Sequence, residues 1–125
     1  MHRALTKSLN TVAVQVSETA GRERVIDAAR RLGITAPLRP HPSIALGSFE
    51  VNLLELTAAY AHFANGGFQT FPYIIDTAFT KSGTILYERN APAPPRVIGP
   101  REVAAMNDML VATIKYGTGR RAAID

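Results

Sequence analysis

A serine hydroxyl can relay a proton, and a carboxamide can donate and accept hydrogen bonds at once. Ser8 and Asn10 bring these two groups together at the mouth of the apolar stretch ALTKSLNTVAVQV, residues 4–16. Alone, the triplet carries little, because both residue types also favour helix starts. A second triplet, Lys81-Ser82-Gly83 followed by Thr84, could offer positive charge to a carboxylate and room for a substrate backbone. Lys-Ser-Gly is equally good turn chemistry, and turn is the reading its flanks favour. The three histidines (His2, His41 and His62) stand far apart without ligand spacing, so no metal site is expected. Zero cysteines exclude disulfides, thiolate zinc sites and cysteine nucleophiles. No residue pattern asks for a cofactor.

Composition narrows the field further. The 125 residues are 46% hydrophobic and 19% charged, enough to build a core and far from a disordered profile. No apolar run nears the roughly 20 residues that span a bilayer, and no targeting signal is visible at the start. The net charge of +4 comes mostly from eleven arginines, scattered in ones and twos. Without a basic block the electrostatic case for nucleic acid is weak, and solvated surface arginines are the preferred reading. The string AARRLGIT, residues 28–35, does resemble the first helix and turn of helix-turn-helix DNA readers. A recognition helix would have to come next, yet Pro37, Pro40 and Pro42 stand there instead.

The elements that must carry these groups can be read from periodicity. The opening stretch fits helix and strand alike, and we expect a helix over about 11–20, with Asn10 as N-cap and Gly21 as stop. GRERVIDAARRLGI is amphipathic and predicts a helix over about 22–32, ended by Gly33. NLLELTAAYAHFANGG predicts a buried central helix over about 53–65. Asn52 caps it, Glu55 closes a capping box, and Val51 staples to Leu56. Two β-rich runs around Lys81-Ser82-Gly83 predict a hairpin over about 73–89. Pro100 opens a last helix over about 100–115, with Val103, Met106, Met109, Leu110 and Ile114 as its apolar stripe. The expected class is α+β: a predominantly helical chain with one β-hairpin.

In chain order, ALTKSLNTVAVQV, VIDAARRLGI, PSIALGSFEVNLLELTAAYAHFANGG, the hairpin and KYGTGRRAA form a continuous series. It closely resembles the transpeptidase domain of class A (bifunctional) penicillin-binding proteins over residues 4–123, most specifically in ALGSFEVNLLELTAAYA. The resemblance implies the serine β-lactamase and penicillin-binding transpeptidase fold. It places Ser8 and Asn10 as catalytic residues of the family's second active-site motif. There the serine hydroxyl sits between two lysines and can relay a proton to the leaving group, and the asparagine holds the substrate amide and a catalytic lysine. Lys7 matches no catalytic role and is expected to be exposed. Lys81-Ser82-Gly83 becomes the hairpin turn, the family's lysine–threonine–glycine strand being expected beyond Asp125.

The departures shape the functional expectation. The serines are Ser8, Ser17, Ser43, Ser48 and Ser82; three places on stand Thr11, Ala20, Leu46, Val51 and Ile85. None is lysine, so the chain holds no serine-x-x-lysine nucleophile motif. We therefore expect an internal fragment, inactive alone, of a peptidoglycan D,D-transpeptidase that cross-links stem peptides through a serine acyl-enzyme. Its partners would be stem peptides and β-lactams, reached through the complete domain. The parent would lie at the periplasmic face of the bacterial inner membrane, with a membrane anchor outside this segment. Apolar faces left uncovered would make the fragment self-associate. The competing readings are a small helix-turn-helix DNA-binding protein and a non-catalytic helical interaction module, in which Ser8 and Asn10 are only caps.

Overall fold

The computed structural model describes residues 1–124. Among them the helices are α1 (His2–Thr6), α2 (Asn10–Ala20), α3 (Arg22–Arg31), α4 (Leu53–Ala64) and α5 (Pro100–Tyr116). Strands β1 (Thr77–Phe79) and β2 (Ile85–Glu88) form one antiparallel pair between α4 and α5, and 3-10 turns occupy Pro42–Leu46 and Arg120–Ala122. This is a helix-dominated α+β arrangement. α1 was not expected, because five residues are too few to display an apolar period.

α3 ends as its sequence asks. Gly33 takes φ 90°, its N–H reaches the Arg30 carbonyl at 3.0 Å, and the Ile34 N–H reaches the Ala29 carbonyl at 3.0 Å. These paired bonds form a Schellman end, which turns Ile34 inward to 6% exposure. Ile34 lines a 330 Å³ apolar cavity together with Val25, Ala29, Phe49, Val51 and Leu56. Among the described residues, only the 3-10 turn Pro42–Leu46 lies between α3 and α4, so no α-helix directly follows α3 as a recognition helix would.

α4 begins on Asn52, whose Oδ1 accepts the Leu54 N–H at 2.8 Å. The capping box does not form. Glu55 reaches across to Thr35 instead, its two carboxylate oxygens accepting the Thr35 N–H at 3.0 Å and the Thr35 hydroxyl at 2.6 Å. A hydroxyl and an amide from the chain after α3 satisfy both oxygens, which one backbone N–H at Asn52 could not. Nor is α4 buried all round: Ala59 and His62 are covered, while Leu53 is 78% exposed. The burial expected for it is thus only partial, with Leu54, Leu56 and Tyr60 exposed as well. His62 is its anchor, with Nδ1 on the Ala58 carbonyl at 2.8 Å and Nε2 accepting the Thr70 N–H at 3.3 Å.

Beyond α4 the chain turns through Gly66 and Gly67 and returns to α5. The Gly67 carbonyl accepts the Val97 N–H at 2.8 Å and the Ile98 N–H at 3.1 Å. A Cβ on Gly67 would lie 2.3 Å from the Ile98 carbonyl oxygen and 3.0 Å from Val103, and its φ is 92°, so no side chain fits. Arg96 closes the turn from outside, bonding the Gly66 carbonyl and stacking on Phe68 at 4.3 Å. α5 starts on Pro100, buries Val103 and Ala112, and ties back to α4 through Asn107 Nδ2 on the Phe63 carbonyl at 2.9 Å. α1 packs on α5, while α2 packs on α3 and on the turn Pro42–Leu46. The hairpin stands largely apart, and β2 is exposed along its length.

The Thr35–Glu55 clamp makes stability pH-dependent. Hydrogen bonds from the Thr35 hydroxyl, then from its amide, hold the Glu55 carboxyl below its ordinary 4.5. A depressed carboxyl stabilises the fold above its unfolded value and loses that contribution as pH falls through the lower folded value. Glu18, depressed by its hydrogen bond to Arg22, acts in the same direction. Glu55→Gln should therefore flatten, without abolishing, the loss of stability below about pH 4.5. Urea midpoints measured from pH 6 down to 3 check this; an unchanged acid limb would rule the clamp out.

Candidate active site

Ser8 is the single described non-glycine residue with positive φ, at 52°. Its N–H donates to the Leu5 carbonyl at 3.0 Å, and the Leu9 N–H donates to the Ala4 carbonyl at 2.9 Å. This is again a Schellman end, now closing α1, with serine where α3 uses glycine. The left-handed conformation costs an L-residue about 1–2 kcal/mol. Strain of this kind concentrates where a side chain must be aimed.

Asn10 stands two residues on. Leu9 is the N-cap of α2, no side chain caps that start, and Asn10 is the first helical residue. The expectation that Asn10 caps α2 is thus corrected. With Leu9 serving both the end of α1 and the start of α2, the connection has no residue left to set Asn10 outside the helix. Ser8 and Asn10 are both exposed, and neither is an N-cap.

Both residues line one cleft of 290 Å³. Its other walls are apolar: Leu5 from α1, Leu9, Val12 and Val16 of α2, and Leu46 from the 3-10 turn. Leu5, Leu9, Val16 and Leu46 are 37–49% exposed there. A largely apolar cleft whose lining includes a serine and an asparagine suits a ligand that has an amide to fix and carbon to bury.

Behind the cleft, the turn after α5 approaches α1. The Thr118 N–H donates to the Thr6 carbonyl at 3.2 Å, and Thr6 is buried at 6% exposure with its hydroxyl on the His2 carbonyl at 2.9 Å. Sequence reading missed Thr6, Gly117 and Thr118. The glycine spacing in KYGTGRRAA was visible, but its partner lay at the other end of the chain.

The remaining candidates fall elsewhere. Lys81-Ser82-Gly83 is the hairpin tip, with Gly83 at φ 85° and its N–H on the Thr80 carbonyl at 3.0 Å. Lys7 is the exposed C-cap of α1. His41 and His62 serve as a 3-10 N-cap and a helix anchor, and His2 lies 3.3 Å from Asp108 across α1 and α5. Among the described residues no group of three His, Asp or Glu side chains could hold a metal ion, and no helix is long and apolar enough to cross a membrane.

A family model for the penicillin binding protein transpeptidase domain matches residues 1–125. The chain belongs to that family. Penicillin-binding protein 1A of Aquifex aeolicus (strain VF5) is 39% identical to it over 121 residues, which is 97% of this chain and 16% of the relative. Penicillin-binding protein 1A of Pseudomonas aeruginosa is 37% identical over 106 residues, 84% of this chain and 12% of the relative. Penicillin-binding protein 2D of Bacillus subtilis (strain 168) is 38% identical over 86 residues, 69% of this chain and 12% of the relative. The chain thus spans a small part of the length of these penicillin-binding relatives. Membership in the transpeptidase family takes the ground from the helix-turn-helix alternative.

The conformation of Ser8 makes a simple stability prediction. Ser8→Gly relieves the left-handed strain and should raise stability by up to about 1 kcal/mol, part of the gain being offset by unfolded-state entropy. Ser8→Val, β-branched at positive φ, should lower it by about 1–2 kcal/mol. Urea midpoints in the order Gly, Ser, Val check it; the opposite order would remove the left-handed assignment.

Proposed function

We propose that this chain is a segment of a peptidoglycan D,D-transpeptidase and that Ser8 and Asn10 are catalytic residues of its second active-site motif. The observation that carries the reading is the strained, exposed Ser8 lining one cleft with Asn10, in a chain of the transpeptidase family. A serine outside these residues attacks the penultimate D-alanine carbonyl of a stem peptide. An ester bond forms to that serine and the amide bond to the terminal D-alanine breaks. The Ser8 hydroxyl relays the proton that the leaving amine takes up. Asn10 holds the peptide amide through its carboxamide, accepting with oxygen and donating with nitrogen. An amine of a neighbouring strand then displaces the ester, giving the cross-link. β-Lactams, whose strained amide mimics the stem peptide, acylate the same serine. The enzyme works at the outer face of the bacterial inner membrane, where its substrate is.

The 125-residue chain alone should form no covalent adduct with a fluorescent penicillin, because it has no serine with a lysine three places on. In the complete transpeptidase, Ser8→Ala or Asn10→Ala should slow acylation by about 10²–10⁴-fold. Labelling of the bare chain, or wild-type acylation rates in both variants, would end this reading.

We also propose that the isolated chain self-associates. The most exposed apolar side chains are Leu53 and Leu54 on α4 and, separately, Ile74 and Leu86 around the hairpin, each at least 60% exposed; Val111 and Tyr116 of α5 are exposed as well. The open strand edges of the hairpin add to this exposed surface. Sedimentation velocity should give a mass above 13.5 kDa that rises with concentration. A monomer at high concentration would exclude it.

A further inference from the structure

We infer that Gly117 and Thr118 are positioning residues for the Ser8–Asn10 pair, acting through the Thr6 carbonyl. The inference rests on the proposed role of that pair. Thr6 ends α1, two residues before Ser8, and its carbonyl oxygen receives the Thr118 N–H at 3.2 Å. Gly117 makes that approach possible. A Cβ there would lie 2.3 Å from the Thr6 carbonyl oxygen, 2.7 Å from the Thr113 carbonyl oxygen and 2.9 Å from the Thr113 Cα. All three are backbone atoms, so no side chain can swing aside to make room. The backbone at Gly117, φ −109° and ψ −157°, is open to any residue. Space, not dihedral freedom, demands the glycine.

The support runs back to the body of the fold. The Thr113 carbonyl accepts both the Gly117 N–H at 3.1 Å and the Gly119 N–H at 3.2 Å, so the turn is fixed to the last turn of α5. α5 is held in turn by Val103 against Gly67 and by Asn107 on the Phe63 carbonyl. α1 has only five residues and cannot hold its own direction. The Thr6–Thr118 bond ties its last turn to α5, and the Schellman end then delivers Ser8 and Asn10 from that fixed point. Chemistry that depends on near-attack geometry loses on the order of 10²-fold for a displacement of about 1 Å.

The test uses the complete transpeptidase that contains this segment and a fluorescent penicillin, with the acylation rate at saturation separated from the half-saturating concentration. Gly117→Ala displaces the turn. An ester replacing the amide of Thr118 deletes the N–H and leaves the fold's shape, which covers the case in which Gly117→Ala does not fold. Rates are referred to the folded fraction, counted by circular dichroism and thermal melting. We expect the saturating rate of the folded fraction to fall about 10-fold or more, with the half-saturating concentration nearly unchanged. A merely structural role would lower the melting temperature and the folded fraction while leaving that rate alone, and this result would overturn the inference. Ser8→Ala is measured alongside: if it acylates at the wild-type rate, the reading of the pair falls and the inference falls with it. If Ser8→Ala is slow while the folded fraction of the turn variants stays fast, only the positioning role is lost.

Discussion

Much of this chain hangs on one close backbone approach, at Gly67. There the carbonyl of a residue just past α4 takes two amides from the segment leading into α5, and the Ile98 carbonyl sits where a side chain would begin. Hydrogen bonds between backbone groups specify position without specifying side chains, so the junction fixes direction and leaves the surroundings free to vary. From it α5 runs through Asn107 and Val103 along α4, and at its far end it supports the turn that meets α1. The hydrophobic contribution around this frame is modest: Ile34, Ala59, Val103 and Ala112 are the buried apolar residues among those described. Two of the four are alanines. Helix ends and backbone junctions therefore carry an unusual share of the specification, which is why so many of the informative residues are glycine, asparagine and serine.

Two helices in this chain end by the same hydrogen-bond pattern with different residues in the left-handed place. At the end of α3 the residue is Gly33, and the consequence is packing: Ile34 is turned into the apolar cavity. At the end of α1 it is Ser8, and the consequence is exposure: a hydroxyl is presented beside Asn10 in a cleft whose other walls are carbon. Identical backbone geometry thus serves stability at one site and presentation at the other. The difference lies in the residue after the turn, a buried isoleucine in one case and the N-cap of another helix in the other.

What the sequence made legible was local. Asn52 as a cap, Gly33 and Gly83 at turns, and Pro100 opening a helix are each decided within about four residues, and the structure has them in those roles. What it hid was the choice between a local and a distant partner. Glu55 had the spacing for a capping box but met Thr35, because a carboxylate with two oxygens is better satisfied by a hydroxyl and an amide together. The burial of α4 was overread because its composition is apolar on more than one side, and composition does not say which side finds a neighbour. The role proposed for Ser8 and Asn10 came only from resemblance to a family. Their residue types alone argued for caps, and a serine in a left-handed conformation leaves no signature that distinguishes it from any other serine. α1 and the Thr6–Thr118 contact were invisible for different reasons, one being too short for a period and the other joining opposite ends of the chain.

The connection between α1 and α2 consists of Lys7, Ser8 and Leu9, and every one of them has a terminal role in a helix. Nothing in it is slack. An added residue would rotate Asn10 about a third of the way round the axis of α2 and carry the carboxamide off the wall it shares with Ser8. A deletion would pull the left-handed turn apart. In most surface loops, length drifts more readily than the few residues that matter. Here the constrained quantity is the count of residues itself, so that this corner of the fold keeps time like a ruler: side chains along it can be exchanged one at a time, but the spacing cannot be edited.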